Sequence, residues 1–547
     1  MSTEANSSAG PTQWATPAAI ETEADEKQLL LLMKDWRKGR ATRSVWDALQ
    51  DAYVAVFALV MVAAMVINVI IKAQQVASDC ATQACTSGRG LLPWAALAGV
   101  FALVLGASRL FGPVLASAAE GFWLMDAPLH RERLLRRRLW MAVGAALVAG
   151  AVLGALVAAL TGSSASAVLA WTAATGLGAA GLVGFAAAEQ GAERTIFVQA
   201  IQAIAGLAGV GALLAVVATA TGWRSVQVDQ DHTVQLAGIV AALGAVLAVA
   251  GLAIAGHRLW RIPRARLMSG GSLVQGMQGA AFALDFALMR DILVERQAAA
   301  RGSVRPTRGR GLGLRALVWR DVQRLIRFPR PLLTLVASAI VPYAVQALGL
   351  GSLNVVISAL VLMAALIPLF GSLRVLSRTQ GLARCLPYGT ADVRQAATIV
   401  PTVLAALWWV LVTPAFVGIG AEQHREPTRA VMLALVTAVA GLVAAVRWVS
   451  AKPADYNAPM MATSMGALPP GLMFNLFRGF DMVALVSLPV LLGGSPWISL
   501  VLAFIAWTFL RMGGLNQADM LAQQEEQRKQ LAELKAQTKA DREAGRK

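Results

Sequence analysis

The sequence predicts an all-α fold: a polytopic transmembrane helical bundle of about 12 spans, built as two parallel six-helix repeats. Three observations carry that expectation. Apolar residues make up 57% of the 547-residue chain, mean hydropathy is +0.60, and only 14% of residues are charged. The apolar residues fall in long runs, and a bilayer core about 30 Å thick needs roughly 20 of them per helix. The arginines fall between the runs, concentrated on one set of loops. Lipid offers no partner for backbone N–H and C=O groups, so each run reads as helix. The net charge of +17 then reports topology and not a nucleic-acid footprint, since no basic recognition motif accompanies it.

Residues 1–28 are polar, with Pro11, Pro17 and the acidic residues Glu21, Glu23, Asp25 and Glu26. They lack the basic and apolar regions of a cleavable signal and read as a disordered cytoplasmic lead-in. The first six-span unit covers 29–256. It opens on 29–49, where Trp36 and basic residues border an apolar stripe, as in a helix lying in the headgroup layer. A plain solvated basic linker is the blander reading. Spans are expected at 52–71, 91–110, 139–160, 168–188, 196–220 and 236–255. A basic linker, 257–313, comes next. Within it, Leu273–Arg301 is apolar but carries Asp285, Arg290, Asp291 and Glu295, charges costly inside a span. That stretch is expected to be an interfacial or cytoplasmic helix.

The second unit, 314–515, is expected to span at 332–348, 353–370, 397–418, 430–446, 482–492 and 497–510. Pro459, Pro469, Pro470 and Pro489 break 458–494, which fits a re-entrant or interrupted helix. Residues 516–547 read as a charged helical tail. Arg131–Arg138, the 257–330 segment and Arg374–Arg394 share one side, while 72–90, 161–166, 223–234, 349–352 and 420–428 are short and nearly neutral. The positive-inside rule places the Arg-rich side, and both termini, in the cytoplasm.

The halves align with each other. Val45-Trp46 matches Val318-Trp319, Phe111-Gly112 matches Phe370-Gly371, and Pro128 matches Pro387. The offset is 273 at the Trp and 259 at the other two, and the difference falls in the outer loop 72–90. Two loops stand out within this repeat. One holds Glu120, Asp126, Pro128, Arg131 and Arg133; the other holds Arg384, Pro387, Asp392 and Arg394. Each has a short apolar stretch, a break at Pro, then a charged helix entering the next span.

These features make the chain resemble the permease of a type-2 ABC exporter. The resemblance rests on the amphipathic Leu317-Val318-Trp319-Arg320-Asp321 segment with Arg324, Arg327 and Arg330, on six spans per unit, and on the Leu/Ala-Pro loop after span two. It also looks like actinobacterial multi-span membrane proteins of unknown function. The resemblance implies a bacterial cytoplasmic membrane, and that Glu120–Arg133 and Arg378–Arg394 dock a separate ATP-binding cassette subunit. The alternative to docking is plain positive-inside anchoring.

No G-x-x-x-x-G-K-[ST] run occurs, so ATP hydrolysis is expected on another chain, and this chain is not expected to be an enzyme. No catalytic constellation, cofactor motif or metal-ligand spacing is evident. Two other classes stay open. A secondary transporter fits twelve spans, although the clearest polar residues within spans, Asn68 and Asn354, do not titrate. A membrane scaffold fits the abundance of small residues equally well. Cys80 and Cys85 lie in the outer loop, as a possible disulfide or as two free thiols.

Overall fold

The computed structural model describes most of residues 83–511. Residues 124, 126–130, 221–228, 304, 348–349, 352, 380–381, 383–384, 386, 419–424, 451–460, 464–465, 469–474 and 476 lie outside the description. So do 512–547 and all of 1–82 except residue 31 and a set of positions between 53 and 75. The expected interfacial segment 29–49 and the tail therefore fall outside it. Every described position from 53 to 71 is helical, where the first span is expected.

Among the described residues seven helices are long and apolar enough to cross a membrane, or up to nine if each of two bent pairs is one span. Among the described residues the strands are one short antiparallel hairpin, β1 (Met461–Thr463) and β2 (Gly466–Leu468). The first half comprises α1 (Gln83–Phe111), α2 (Ala118–Trp123), α3 (Arg131–Leu160), α4 (Ala165–Gly191), α5 (Ile196–Ala220) and α6 (Gln230–Arg258). Helix starts reflect local chemistry. Ser164 accepts the Ala167 N–H at the head of α4, and Asp229 accepts the Asp231 N–H at the head of α6.

Helix α4 is the centre of this half and packs on α1, α3 and α6. Glycine makes that possible. A Cβ on Gly181 would lie 2.6 Å from the Gly244 carbonyl oxygen, and one on Gly244 would lie 2.6 Å from the Gly178 nitrogen. Toward α3, a Cβ on Gly150 would lie 2.6 Å from the Thr175 carbonyl oxygen. Lipid tails are as apolar as side chains, so helices gain little from burial and associate through close van der Waals contact. Small residues permit that contact.

The linker departs from expectation. It holds two helices in place of one: α7 (Arg264–Phe282) and α8 (Phe286–Arg301), packed against each other. The break needs neither Gly nor Pro. Leu284 takes φ +50°, and the Asp285 N–H closes the end of α7 on the Ala280 carbonyl at 2.9 Å. The Asp285 carboxylate then caps α8 by accepting the Leu288 N–H at 3.0 Å.

The second half begins with α9 (Leu314–Arg327), whose apolar and basic residues segregate to opposite faces, and continues into α10 (Arg330–Ser338). The chain turns 85° between them. Pro329 enforces the turn by excluding helix at Phe328. Then come α11 (Val341–Ala347), α12 (Asn354–Leu366) with a 3₁₀ turn at Ile367–Leu369, α13 (Gly371–Arg378), α14 (Thr390–Val417), α15 (Pro427–Ser450), α16 (Phe480–Leu491) and α17 (Pro496–Arg511). Helix α13 leaves the axis of α12 at 72°. Helix α15 is the centre here, packed on α12, α14, α16 and α17 around Leu362, Phe370, Val412 and Phe416. Helices α16 and α17, at 12 and 16 residues, are short for a span, and β1–β2 precedes them where an interruption is expected.

Two correspondences between the halves are plain in the helix limits. Helix α3 begins at Arg131 and α14 at Thr390, 259 residues later; α4 ends at Gly191 and α15 at Ser450, again 259 later. The halves touch at the end away from the loops, where Leu92 of α1 and Val216 of α5 meet Ala344 of α11.

The glycine contact gives a direct test. Gly244→Leu is expected to destabilise the bundle by about 1–3 kcal/mol or more. Gly256→Leu, on the same helix with open space around its Cβ, should stay within about 0.5 kcal/mol of the parent. Thermal unfolding in detergent reads the difference.

Candidate functional site: two loops bridged by a helix pair

The first loop leaves α1 at Gly112, whose φ of +87° turns the chain sharply. Gln190, near the end of α4, clasps the backbone just past that turn. Its Nε2 donates to the Val114 carbonyl and its Oε1 accepts the Val114 N–H, both at 3.1 Å and both buried. Ser117 and Glu120 then form a reciprocal capping box for α2. The Ser117 N–H and hydroxyl donate to Glu120 Oε2 at 3.0 and 2.8 Å, and the Glu120 N–H donates to Ser117 Oγ at 3.2 Å. Arg138 of α3 ion-pairs with Glu120 and donates to the Leu115 carbonyl. Arg131 closes the loop by donating from Nε and Nη2 to the Met125 carbonyl at 3.1 and 2.8 Å.

Burial pushes the Glu120 carboxyl up, but hydrogen bonds from Ser117 and the hydrogen bond and charge of Arg138 outweigh it and hold the group below its ordinary 4.5. The pair is partly exposed and adds little by itself. The Gln190 bonds weigh more, because losing them strands a buried N–H and a buried C=O, each costing about 1–3 kcal/mol.

Helix α7 lies directly on this loop. The Ala116 N–H donates to the Leu267 carbonyl at 3.2 Å. A Cβ on Gly270 or Gly271 would fall 1.9 Å from the carbonyl oxygens of Phe111 and Ala116 respectively. What stays uncovered is an aromatic pair: Phe122 and Trp123 are 65% and 78% exposed, with the Arg264 guanidinium over the Phe122 ring at 5.1 Å.

The second loop is reached by α8. Arg290 donates to the Ile367 carbonyl at 2.9 Å, and Asp291 pairs with Arg374 of α13 at 2.6 Å. Burial, ahead of the Arg374 charge and against the pull of Asp291, brings the Arg290 guanidinium down to about 10, so it stays charged at neutral pH. Asp321 of α9 accepts a hydrogen bond from Ser372, and the Arg324 guanidinium lies over Gly371 in the space a Cβ would take. Ser377 ties α13 to the Val449 carbonyl at 3.1 Å. Leu382 and Tyr388 are exposed.

The residues expected to form the two loops fall in several settings. Glu120 and Arg131 shape the first loop, and Arg133 is exposed beside them. Pro387 and Asp392 are exposed at the entry to α14, and Arg394 is half-buried along a cleft. Asp126, Pro128, Arg384 and Cys80 lie outside the described residues; Cys85 lies in the first turn of α1, its side chain likewise outside. Cys385 is an exposed free thiol. Gln190 and the Gly270-Gly271 pair carry the architecture and have no signal in the sequence, since neither belongs to a recognised motif. Among the described residues no three His, Cys, Asp or Glu side chains cluster to hold a metal.

Residues 85–459 match the model of a family described as Family of unknown function (DUF6297). The chain belongs to that family. The DUF6297 region takes in both loops, the α7–α8 pair and both central helices, and ends before α16. No curated protein and no solved structure matches the chain.

Gln190→Ala should raise amide exchange of Val114 by roughly tenfold or more and cost about 2 kcal/mol or more; Glu120→Ala should cost about 1 kcal/mol. A reversed order would show that the ion pair, and not the amide clasp, holds the loop. The Glu120 contribution should be complete above its unfolded value of 4.5 and vanish as pH falls below it through the lowered folded value.

Proposed function

We propose that this chain is the membrane-spanning permease of an ATP-driven exporter of the type-2 ABC kind, with hydrolysis supplied by a separate ATP-binding subunit. The observation that carries this reading is the pairing of two loops, 259 residues apart at Phe-Gly and at Pro, each leading into a long helix with the same displacement. Topology by the positive-inside rule asks only for basic charge on such loops. It does not ask for a repeated break, for a folded cap such as Ser117–Glu120, or for exposed apolar side chains at the tip.

On this reading the two halves are six-span repeats of one orientation, twelve spans in all, in a bacterial cytoplasmic membrane. The Arg-rich end and both termini face the cytoplasm. The ATPase docks on Phe122 and Trp123 of the first loop and on Leu382 and Tyr388 of the second. Arg131, Arg133, Asp392 and Arg394 border those contacts, and Arg378–Arg384 continue the second loop. The amphipathic helix α9, set at 85° to α10, supports the reading, because a helix lying at the membrane surface ahead of a first span belongs to the same resemblance. The substrate path runs between the halves, and ATP-driven motion enters through the loops. The α7–α8 pair joins the first loop to α13, the helix that leads into the second.

Purification from native membrane in mild detergent should bring down a protein bearing a phosphate-binding G-x-x-x-x-G-K-[ST] loop, cross-linked to residues 120–133 and 378–394. Trp123→Ala with Tyr388→Ala should weaken that capture by about tenfold or more, as truncated aromatic anchors do, with thermal stability unchanged because both side chains are exposed. A chain that purifies alone, without a nucleotide-binding partner, would favour a secondary transporter or a scaffold.

A further inference from the structure

A narrow cleft opens at the Arg-rich end of the second half, between α13, α14, α15 and α17. Its cavity volume is about 20 Å³, so a ligand would enter it only in part and sit at its open mouth. Leu373, Val446, Trp507 and Leu510 form its apolar wall. Arg394 lines it from the first turns of α14 and Arg511 from the last residue of α17. Gln395, Thr398 and Ser450 add polar groups, and among the described residues no carboxylate lines the cleft. Neither guanidinium hydrogen-bonds or ion-pairs with another described residue.

We propose that this cleft binds the phosphodiester headgroup of an anionic phospholipid. Two like charges line one opening with no acid among the described residues that line it, which leaves the place of a counter-anion to a ligand. Guanidinium is the side chain best matched to phosphate oxygens, through paired N–H donors. The cleft sits where four helices end, at headgroup depth for a bundle that spans a bilayer, and Trp507 is the residue type that settles there. The apolar wall distinguishes a lipid from a free phosphate ion: an ion gains nothing from Leu373, Val446 and Leu510, whereas the glycerol and first methylenes of a lipid do. Basic pockets between spans on the cytoplasmic side take such headgroups for the same reasons. The proposal rests on membrane insertion alone and not on coupling to an ATPase. It also gives Arg394 a duty at the membrane beside the second loop.

The test uses the full chain purified in detergent, with phosphatidylglycerol, phosphatidylcholine, glycerol phosphate or inorganic phosphate added separately. Thermal midpoints and lipid retained in native mass spectra are read together. Phosphatidylglycerol should be retained at least tenfold over phosphatidylcholine and should raise the midpoint. Arg394→Gln with Arg511→Gln should abolish that preference, roughly tenfold or more for the pair. Arg394→Lys with Arg511→Lys should retain part of it, and Arg136→Gln with Arg137→Gln, which removes the same charge from exposed positions elsewhere on this side, should retain all of it. A photoactivatable phosphatidylglycerol should label residues 394–398 and 507–511, a readout that needs no variant to fold. Equal retention of the two lipids, labelling elsewhere, or an equal loss in the Arg136/Arg137 variant would overturn the site. Inorganic phosphate or glycerol phosphate matching the lipid's effect would overturn the lipid assignment in favour of a soluble phosphate.

Discussion

The approach of α6 and α3 to α4, at separations that leave no room for a Cβ on Gly150, Gly181 or Gly244, is the constraint on which the first half depends. Within a bilayer the usual reward for burying apolar surface is absent between helices, so adhesion comes from short-range contact. Contact at backbone distance also leaves little freedom of rotation or sliding. Helix α4 is thereby fixed, and its end carries Gln190, which positions Val114 and so the whole first loop. The loop's shape is set by a helix interface deep in the bundle and only trimmed by the charges around it.

The second half reaches a similar arrangement by other means. Helix α15 is likewise enclosed by its neighbours, but through larger side chains, with Leu362, Phe370, Val412 and Phe416 filling the space that glycines remove in the first half. Its last turn again holds the adjoining surface segment, now through the Val449 carbonyl and Ser377. In each half, then, the end of the central helix holds an adjoining segment, by Gln190 in one and by the Val449 carbonyl in the other. The starts of α3 and α14 and the ends of α4 and α15 lie 259 residues apart, and the other limits of these helices 257 and 262 apart, as span length and loop breaks imposed by the bilayer and proline allow.

The same physics decides how much is legible in the sequence. Long apolar runs and the arginines between them are one-dimensional signals, and described helices occupy every expected span position after the first, with α16 and α17 short. Pro329 marks the sharp turn before α10, and Pro387 lies between α13 and α14. The break at Leu284 carries no such mark: a leucine at positive φ before a capping aspartate looks like continuous amphipathic helix, so α7 and α8 read as one. Glu120, Arg131 and Arg394 stand out because charge is rare in this chain. Gln190 and Gly270-Gly271 do not, because a glutamine clasp and a glycine contact acquire meaning only from a neighbour dozens of residues away.

The α7–α8 pair holds the two loops with unequal firmness, and that asymmetry locates where movement can occur. Against the first loop the contact is backbone on backbone, with Gly270 and Gly271 seated on the Phe111 and Ala116 carbonyls and Leu267 bonded to Ala116. Any slide would drive atoms into one another, so α7 and the first loop form one rigid piece. Against the second loop the contact is made by long side chains: Asp291 with Arg374, and Arg290 with the Ile367 carbonyl. Such contacts rest on side-chain rotamers and not on backbone, and the charges of Arg290, Arg324 and Arg374 gather there around Asp291 and Asp321. The contact of α8 with α13 is therefore the more yielding of the two, and that of α7 with the first loop the firmer.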